Sequence, residues 1–556
     1  MRSALVWIFG LVAATVSGQT PSHKHYEKSE EADKPAPTGE MAPRLQSLGK
    51  HTFPVRTKSK PAQLFINQGV NLAYGFNHAE AGRAFREAAR LDPGCAMAYW
   101  GQALVLGPNI NAPMTPEDEP KAYELAQKAV AALKSRASAR EQAYIGAVAQ
   151  RYSGKADDRA ARDRAYADAM RDLVRRYPGD LDAATMYAEA LMDLRPWDYW
   201  RRDGQPYPGT REIVDTLERV MAANPAHPGA NHYYIHAMEA WTPGKAEAAA
   251  DRLLALMPGA GHMVHMPSHI YQRVGRYADA VASNEAAIKS DESYITQCRA
   301  QGLYPMAYYP HNIHFLWFAA TAEGRSQVAI DAARKAAATV SDQMVDKLPL
   351  LAGFRVVPWY ALTRFGKWDE MLAEPAPADR FLYLKGTWHY ARGLALLGKG
   401  QLDEAEKELG ALRRIAEDRA LEYTLFSPNT AAAILAVAPE VLAGELLARR
   451  KDYDAAIAHL ERAVRLETGL VYTEPSETHY PPRQALAAVL LEAGRAKEAE
   501  TVYWEDLRRS PDNGWSLIGL AQALRAEGRA DDAAAAQARF EKAWAHADVK
   551  LTASRF

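Results

Sequence analysis

From Gln63 onward, apolar and polar positions follow the spacing of amphipathic helices, broken by Gly and Pro at intervals close to the length of one helical hairpin. In "GFNHAEAGRAFREAARLDP" the small residues Ala81 and Ala88 flank Phe85, and Pro93 ends the run. The same phrasing returns in "GRYADAVASNEAAIKSD", "GRSQVAIDAARKAAATV", "GQLDEAEKELGALRRI", "KDYDAAIAHLERAVRLE" and "GRAKEAETVYWEDLRRSP". Ala280, Ala329, Ala405, Ala456 and Ala499 then fill the slot of Ala81. Helices between about 116 and 225 lack the phrase but keep the hairpin rhythm.

These phrases resemble the tetratricopeptide repeat, a helix-turn-helix unit of roughly 34 residues with small residues where its two helices touch. The resemblance spans most of residues 63 to 545 and implies an all-α fold, a right-handed superhelical solenoid of stacked hairpins. It also implies that the first helix of each unit lines a concave wall, where such proteins hold ligands. On this reading the chain divides into N-terminal helical repeats (61–225), a central histidine-rich set (226–345) and C-terminal helical repeats (346–556).

The N-terminal residues add a compartment. "MRSALVWIFGLVAATVSGQT" has one arginine, a short apolar run and small residues, the form of a secretory signal peptide covering 1–19. Residues 20–60, rich in Lys, Glu, Ser and Pro, read as a disordered leader, with His23 and His25 in a solvated tail. A periplasmic or secreted protein follows, without membrane insertion, since no later run reads as long enough to span. The charge balance, 67 basic against 68 acidic side chains, offers nothing to neutralise phosphates and argues against a nucleic-acid partner. Only Cys95 and Cys298 are present, so disulfides are not the framework, although one bridge between them is conceivable.

Candidate chemistry gathers in one place. Of 16 histidines, eight lie between His227 and His314. Aligned on the small-residue slot, His262, His265 and His269 occupy positions 2, 5 and 9 of one unit, and His311 and His314 positions 2 and 5 of the next. In the preceding unit, aligned on Ala246, His232 and His236 fall near 6 and 10 with Glu239 near 13. Three adjacent first helices would therefore aim seven imidazoles at one part of the groove. His232 and His236, four apart, share a helix face and can chelate one ion. Pro267 places His262 and His265 before a helix start, and Pro310 places His311 and His314 just inside another.

The ligand set suits copper or zinc, one ion or two, with iron less favoured and possible if Glu239 joins. Glu239 reads as ligand, outer partner or base, and Tyr309 as a hydrogen donor to bound ligand. Cys298 could add a soft ligand or be an inert thiol, and Met263 and Met266 fit core filling. The loop "RPWDYWRRDGQPYPG" (195–209) either caps the groove or packs between turns of the superhelix. "HYYIH" lacks the glutamate of the zincin motif. "HPGANHYYIH" and "HMPSHIYQR" resemble phrases of a group of exported bacterial tetratricopeptide proteins, which supports fold and compartment alone. Two functions fit: an exported metalloprotein, with copper oxidoreductase favoured over zinc hydrolase if it is an enzyme acting on a small molecule, or a scaffold gripping a peptide or protein partner without metal.

Overall fold

The computed structural model describes residues 35–36, 39–298, 304–422, 424–426, 428–478 and 480–556. The expected signal peptide, His23 and His25 lie outside them, as does the side chain of Cys298. Regular structure among these residues is helical, the named strands being two residues each, Leu425–Phe426 paired antiparallel with Asn429–Thr430.

The repeat has a physical signature at its turns. Phe76, Gly275, Gly324, Gly366, Gly400, Lys451, Gly494 and Gly528 all have positive φ, and each lies two residues before a helix begins. The left-handed residue reverses the chain tightly enough to fold the second helix against the first. The fourth residue of each second helix is then buried: Ala81, Ala280, Ala329, Met371, Ala405, Ala456, Ala499 and Ala533 are 0–2 % exposed. Where that residue is alanine, its short side chain lets two helix axes approach closely. Contact is equally tight at Gly444, where an added Cβ would lie 2.5 Å from Leu460 Cγ. Ala246 fits the same register, ending the short turn Pro243–Ala246 at 0 % exposure. An all-α array of tetratricopeptide-like hairpins, the class expected from the sequence, is the class observed.

The chain forms two compact units, one of residues up to 270 with 286–309, the other of 271–285 with 310–556. The segment 226–345 is therefore not a unit of its own. Each hairpin in such an array packs on its neighbours, so composition marks no border that contacts must respect.

Two further expectations are corrected. Residues 39–59, assigned to a disordered leader, run as an extended segment held by side chains of the first unit. The backbone amides of Met41, Leu45, Phe53 and Arg56 donate to Glu87, Gln68, Asn67 and Glu141. Phe53 is fully buried, stacked on Trp100 at 5.5 Å and covered by the Arg140 guanidinium. Polar composition concealed this, because partner side chains satisfy the extended backbone. The second correction concerns Ala431–Arg449, which is long and apolar enough to cross a membrane, with a mean hydropathy of 1.8. Within the second unit its Val437–Arg449 helix packs against Leu382–Gly398, Leu402–Ala416, Tyr453–Gly469 and Pro482–Glu492. A helix covered on several sides is apolar all round without lipid.

Candidate metal centre

The first helix of the site, Pro228–Met238, begins on His227, whose Nδ1 accepts the Ala230 amide, with Pro228 at the first helical position. Gly229 is required by what lies on it, since a Cβ there would sit 2.4 Å from Tyr74 Cδ1. Tyr74 ends the helix Lys60–Tyr74, and this close approach brings its backbone carbonyl to His232. His232 and His236 point the same way from Pro228–Met238, with ring centroids 4.8 Å apart.

The second arm is helical earlier than the sequence implied. His262 and His265 belong to a short helix, Gly261–His265, and Pro267 opens the next, Pro267–Arg273, which carries His269. Pro267 lacks an amide hydrogen and so interrupts the helical ladder, but the chain is already helical before it. Gly261 has no room for a side chain, since a Cβ would overlap the Asp291 carboxylate. Asp291 in turn accepts the Tyr304 hydroxyl, and that hydroxyl accepts the His262 amide.

Five imidazoles and one carboxylate converge, each 0–2 % exposed: His232, His236, His262, His265, His269 and Glu239. Their hydrogen bonds decide which nitrogen is bare. His232 Nδ1 lies 2.6 Å from the Tyr74 carbonyl oxygen, so the proton sits on Nδ1 and the Nε2 lone pair faces inward. Glu239 does the same for two rings, with Oε1 at 3.2 Å from His236 Nδ1 and Oε2 at 2.6 Å from His269 Nδ1. Of the three roles the sequence allowed Glu239, these two bonds match that of a partner that orients histidines from both arms.

The inward atoms then crowd. His232 Nε2 is 3.0 Å from His236 Nε2 and 3.2 Å from His262 Nε2, and His265 Nε2 is 2.9 Å from His269 Nε2. With both Nδ1 atoms protonated, His232 and His236 face each other through lone pairs, which repel unless a cation lies between them. An ion with metal–nitrogen distances of about 2.0–2.1 Å spaces its ligand nitrogens about 2.9 Å apart at a right angle and about 3.4 Å at the tetrahedral angle. The observed spacings lie in that interval.

Burial sets the charge. The pKa values of His232, His236 and His262 are pushed well below the usual imidazole range, first by desolvation and then by neighbouring imidazoles. Neutral imidazole is the form that binds metal, so the rings need no deprotonation near neutral pH. Aromatic walls exclude water. Phe76 lies 4.7 Å from His232 and takes its place with φ +55°, where most hairpins of this chain use glycine. Tyr308 lies 4.8 Å from His262 and Trp197 5.1 Å from His236 in an edge-on contact. Trp200 Nε1 donates to the Ala237 carbonyl, which ties the 195–209 loop to Pro228–Met238.

His311 and His314 lie half-buried in Tyr309–Ala322, the His311 ring against Phe315 and the His314 ring against Trp317. The Tyr309 hydroxyl donates to Glu292, and the tyrosine against the imidazoles is Tyr308, its neighbour in sequence. Cys95 is a buried free thiol whose pKa is raised to about 11, chiefly by desolvation. Met263 and Met266 are fully buried core residues. Sequence reasoning missed a second cluster, His51, Asp182 and His227. No local spacing announces it, since His51 and Asp182 are 131 residues apart.

No family model matches the chain, and no curated protein matches it. Among solved structures, the human IFIT1 dimer with m7Gppp-AAAA is 12 % identical, covering 88 % of this chain and 91 % of its own at a TM-score of 0.31. The APC/C hetero-tetramer Cut9-Hcn1 is 14 % identical, covering 83 % and 76 % at 0.31. Yeast Tom70 is 13 % identical, covering 86 % and 90 % at 0.27. The decisive observation is internal: a left-handed turn residue and, five positions on, a buried contact residue, recurring along the chain. The chain is built of tetratricopeptide-like repeats. Its buried histidine cluster is a feature of its own residues.

Proposed function

We propose that this is an exported metalloprotein in which a copper or zinc ion is held by His232, His236 and His262, with His265 and His269 as an adjoining pair able to hold a second. Iron fits less well, because Glu239 is engaged as a hydrogen-bond partner of two rings rather than offered as a ligand. One observation carries the reading: His232 commits Nδ1 to a main-chain carbonyl while its Nε2 meets two further Nε2 atoms at 3.0 and 3.2 Å.

Bound there, copper would supply one-electron chemistry and zinc a Lewis acid for water or a carbonyl. The chain's own residues set the surroundings. Glu239 and the Tyr74 carbonyl fix the ring orientations, Phe76, Tyr308 and Trp197 keep bulk water out, and burial keeps the imidazoles neutral. An activity on a small molecule is the consequence of this reading, with oxidation favoured over hydrolysis by the all-imidazole set. A peptide clamp built on these histidines is disfavoured, since rings 0–2 % exposed present little to a peptide.

Metal analysis of untagged protein, prepared without chelators, tests the proposal. At least one copper or zinc per chain is expected, lost in a His232→Ala, His269→Ala double variant that keeps its helical circular dichroism. Folded wild-type protein with metal at background, before and after equilibration with either ion, overturns it.

A further inference from the structure

The second cluster opens on a cleft of about 730 Å³ lined by Lys50, His51, Arg140, Arg176, Asp182 and His227, among others, all in the first unit. Its three potential ligands lie within metal-binding reach of one another, yet the hydrogen bonds give the opposite tautomer from that of the buried centre. His227 Nδ1 accepts the Ala230 amide at 3.2 Å, so its proton sits on Nε2, which is 3.4 Å from Asp182 Oδ1. A metal on that nitrogen would require loss of the helix cap. Asp182 Oδ1 instead collects donors: the Tyr74 hydroxyl at 2.7 Å, His51 Nε2 at 2.8 Å and His227 Nε2. The carboxylate is buried and ionised, its pKa pulled far down mainly by the bonds to His227 and His51, which outweigh desolvation.

His51 is thereby the exposed end of a buried His–Asp pair. With Nε2–H on Asp182, its Nδ1 is the ring nitrogen left for the cleft, and its side chain is 13 % exposed. A carboxylate behind an imidazole fixes its tautomer and so leaves the opposite ring nitrogen to meet a ligand. Arg140 is already committed to Asp180 and the Pro54 carbonyl. Arg176 and Lys50 have no carboxylate partner among the described residues, and both face the cleft from exposed positions.

We propose that this cleft is a second, metal-independent ligand site for a small oxyanion-bearing molecule, with Arg176 and Lys50 contacting the anion and His51 Nδ1 exchanging a hydrogen bond with it. The shared chemistry is an oxyanion, either phosphate or carboxylate, and two probes separate them. Inorganic phosphate and acetate are titrated into the full chain while the imidazole nitrogens of His51 are followed by NMR and heat by calorimetry. A saturable shift at His51 with at least one probe is expected. Saturation by phosphate alone assigns a phosphate ligand, and by acetate alone a carboxylate. Affinity should fall about tenfold or more in Arg176→Ala, and the saturable heat should vanish in His51→Ala. Both variants should keep the helical circular dichroism of the wild type, which shows that the chain is folded whatever its metal content and makes failure here separate from failure of the metal reading. No saturable response to either probe, or equal affinity in wild type and both variants, overturns the proposal.

Discussion

Tyr74 and His232 meet through the main chain of one and the ring of the other: the Tyr74 carbonyl oxygen accepts His232 Nδ1–H at 2.6 Å. The Tyr74 hydroxyl, on the far side, donates to Asp182. One residue at the end of the first long helix therefore braces both clusters, and each of its contacts fixes a proton. The predictions below follow from such fixed contacts.

Glu239→Gln should weaken metal binding without abolishing it. An amide can accept from one imidazole through its oxygen, but its NH2 then opposes the Nδ1–H of the other, so one ring turns out of line. A loss of about 10–100-fold in affinity is expected, read by competition with a coloured chelator. Unchanged affinity would mean that Glu239 does not orient His236 and His269.

Trp197→Ala should leave metal stoichiometry intact and speed metal loss. The indole lies edge-on against His236, half-buried, in the loop tied to the helix through Trp200. Removing it opens a path for water and chelator without touching a ligand. The rate of metal removal by excess chelator should rise several-fold, while the metal per chain measured at equilibrium stays as in the wild type.

Two left-handed turn residues should respond oppositely to glycine. Lys451 (φ +64°) is exposed, and Lys451→Gly relieves backbone strain of about 1–2 kcal/mol, offset in part by the extra entropy of the unfolded chain, for a net gain of about 1 kcal/mol. Phe76→Gly relieves the same strain but removes a ring buried against His232 and Tyr233. Burial dominates, and a net loss of about 2–3 kcal/mol is expected. Urea denaturation of both variants measures the contrast.

Glu80 gives a pH dependence. Burial raises its carboxyl pKa to about 7, against the opposing charges of Arg83 and Arg86. A carboxyl whose folded pKa exceeds its unfolded one holds its proton more tightly in the fold. Its contribution is therefore full below about pH 4.5 and is lost as pH rises through about 7. Glu80→Gln keeps the neutral form at every pH. Its melting temperature should match the wild type near pH 4.5 and exceed it at pH 8; equal melting temperatures at pH 8 would show that Glu80 ionises without penalty.

Much of this molecule was legible in its sequence because it is local. The Gly or polar turn followed by a small residue is written within six positions, and the tight hairpin needs both. His232 and His236 share a face because a helix puts residues four apart side by side. Pro267 misled for the same reason: as a helix-start signal it is sound, but the residues before it were held helical by Asp291 and Tyr304, farther along the chain.

The sequence by itself determined the repeat, the all-α class and the stretch in which imidazoles gather, since each rests on contacts spanning a turn or two of helix. Only the tertiary structure decided which nitrogen of each ring is bare. That depends on the acceptor that packing brings to the opposite nitrogen: the carbonyl of Tyr74 for His232, one carboxylate for both His236 and His269. It also decided that His51, in a stretch polar enough to read as a loose leader, reaches Asp182. Tautomer and cavity are set by neighbours remote in sequence, and residue order encodes them only through the whole fold.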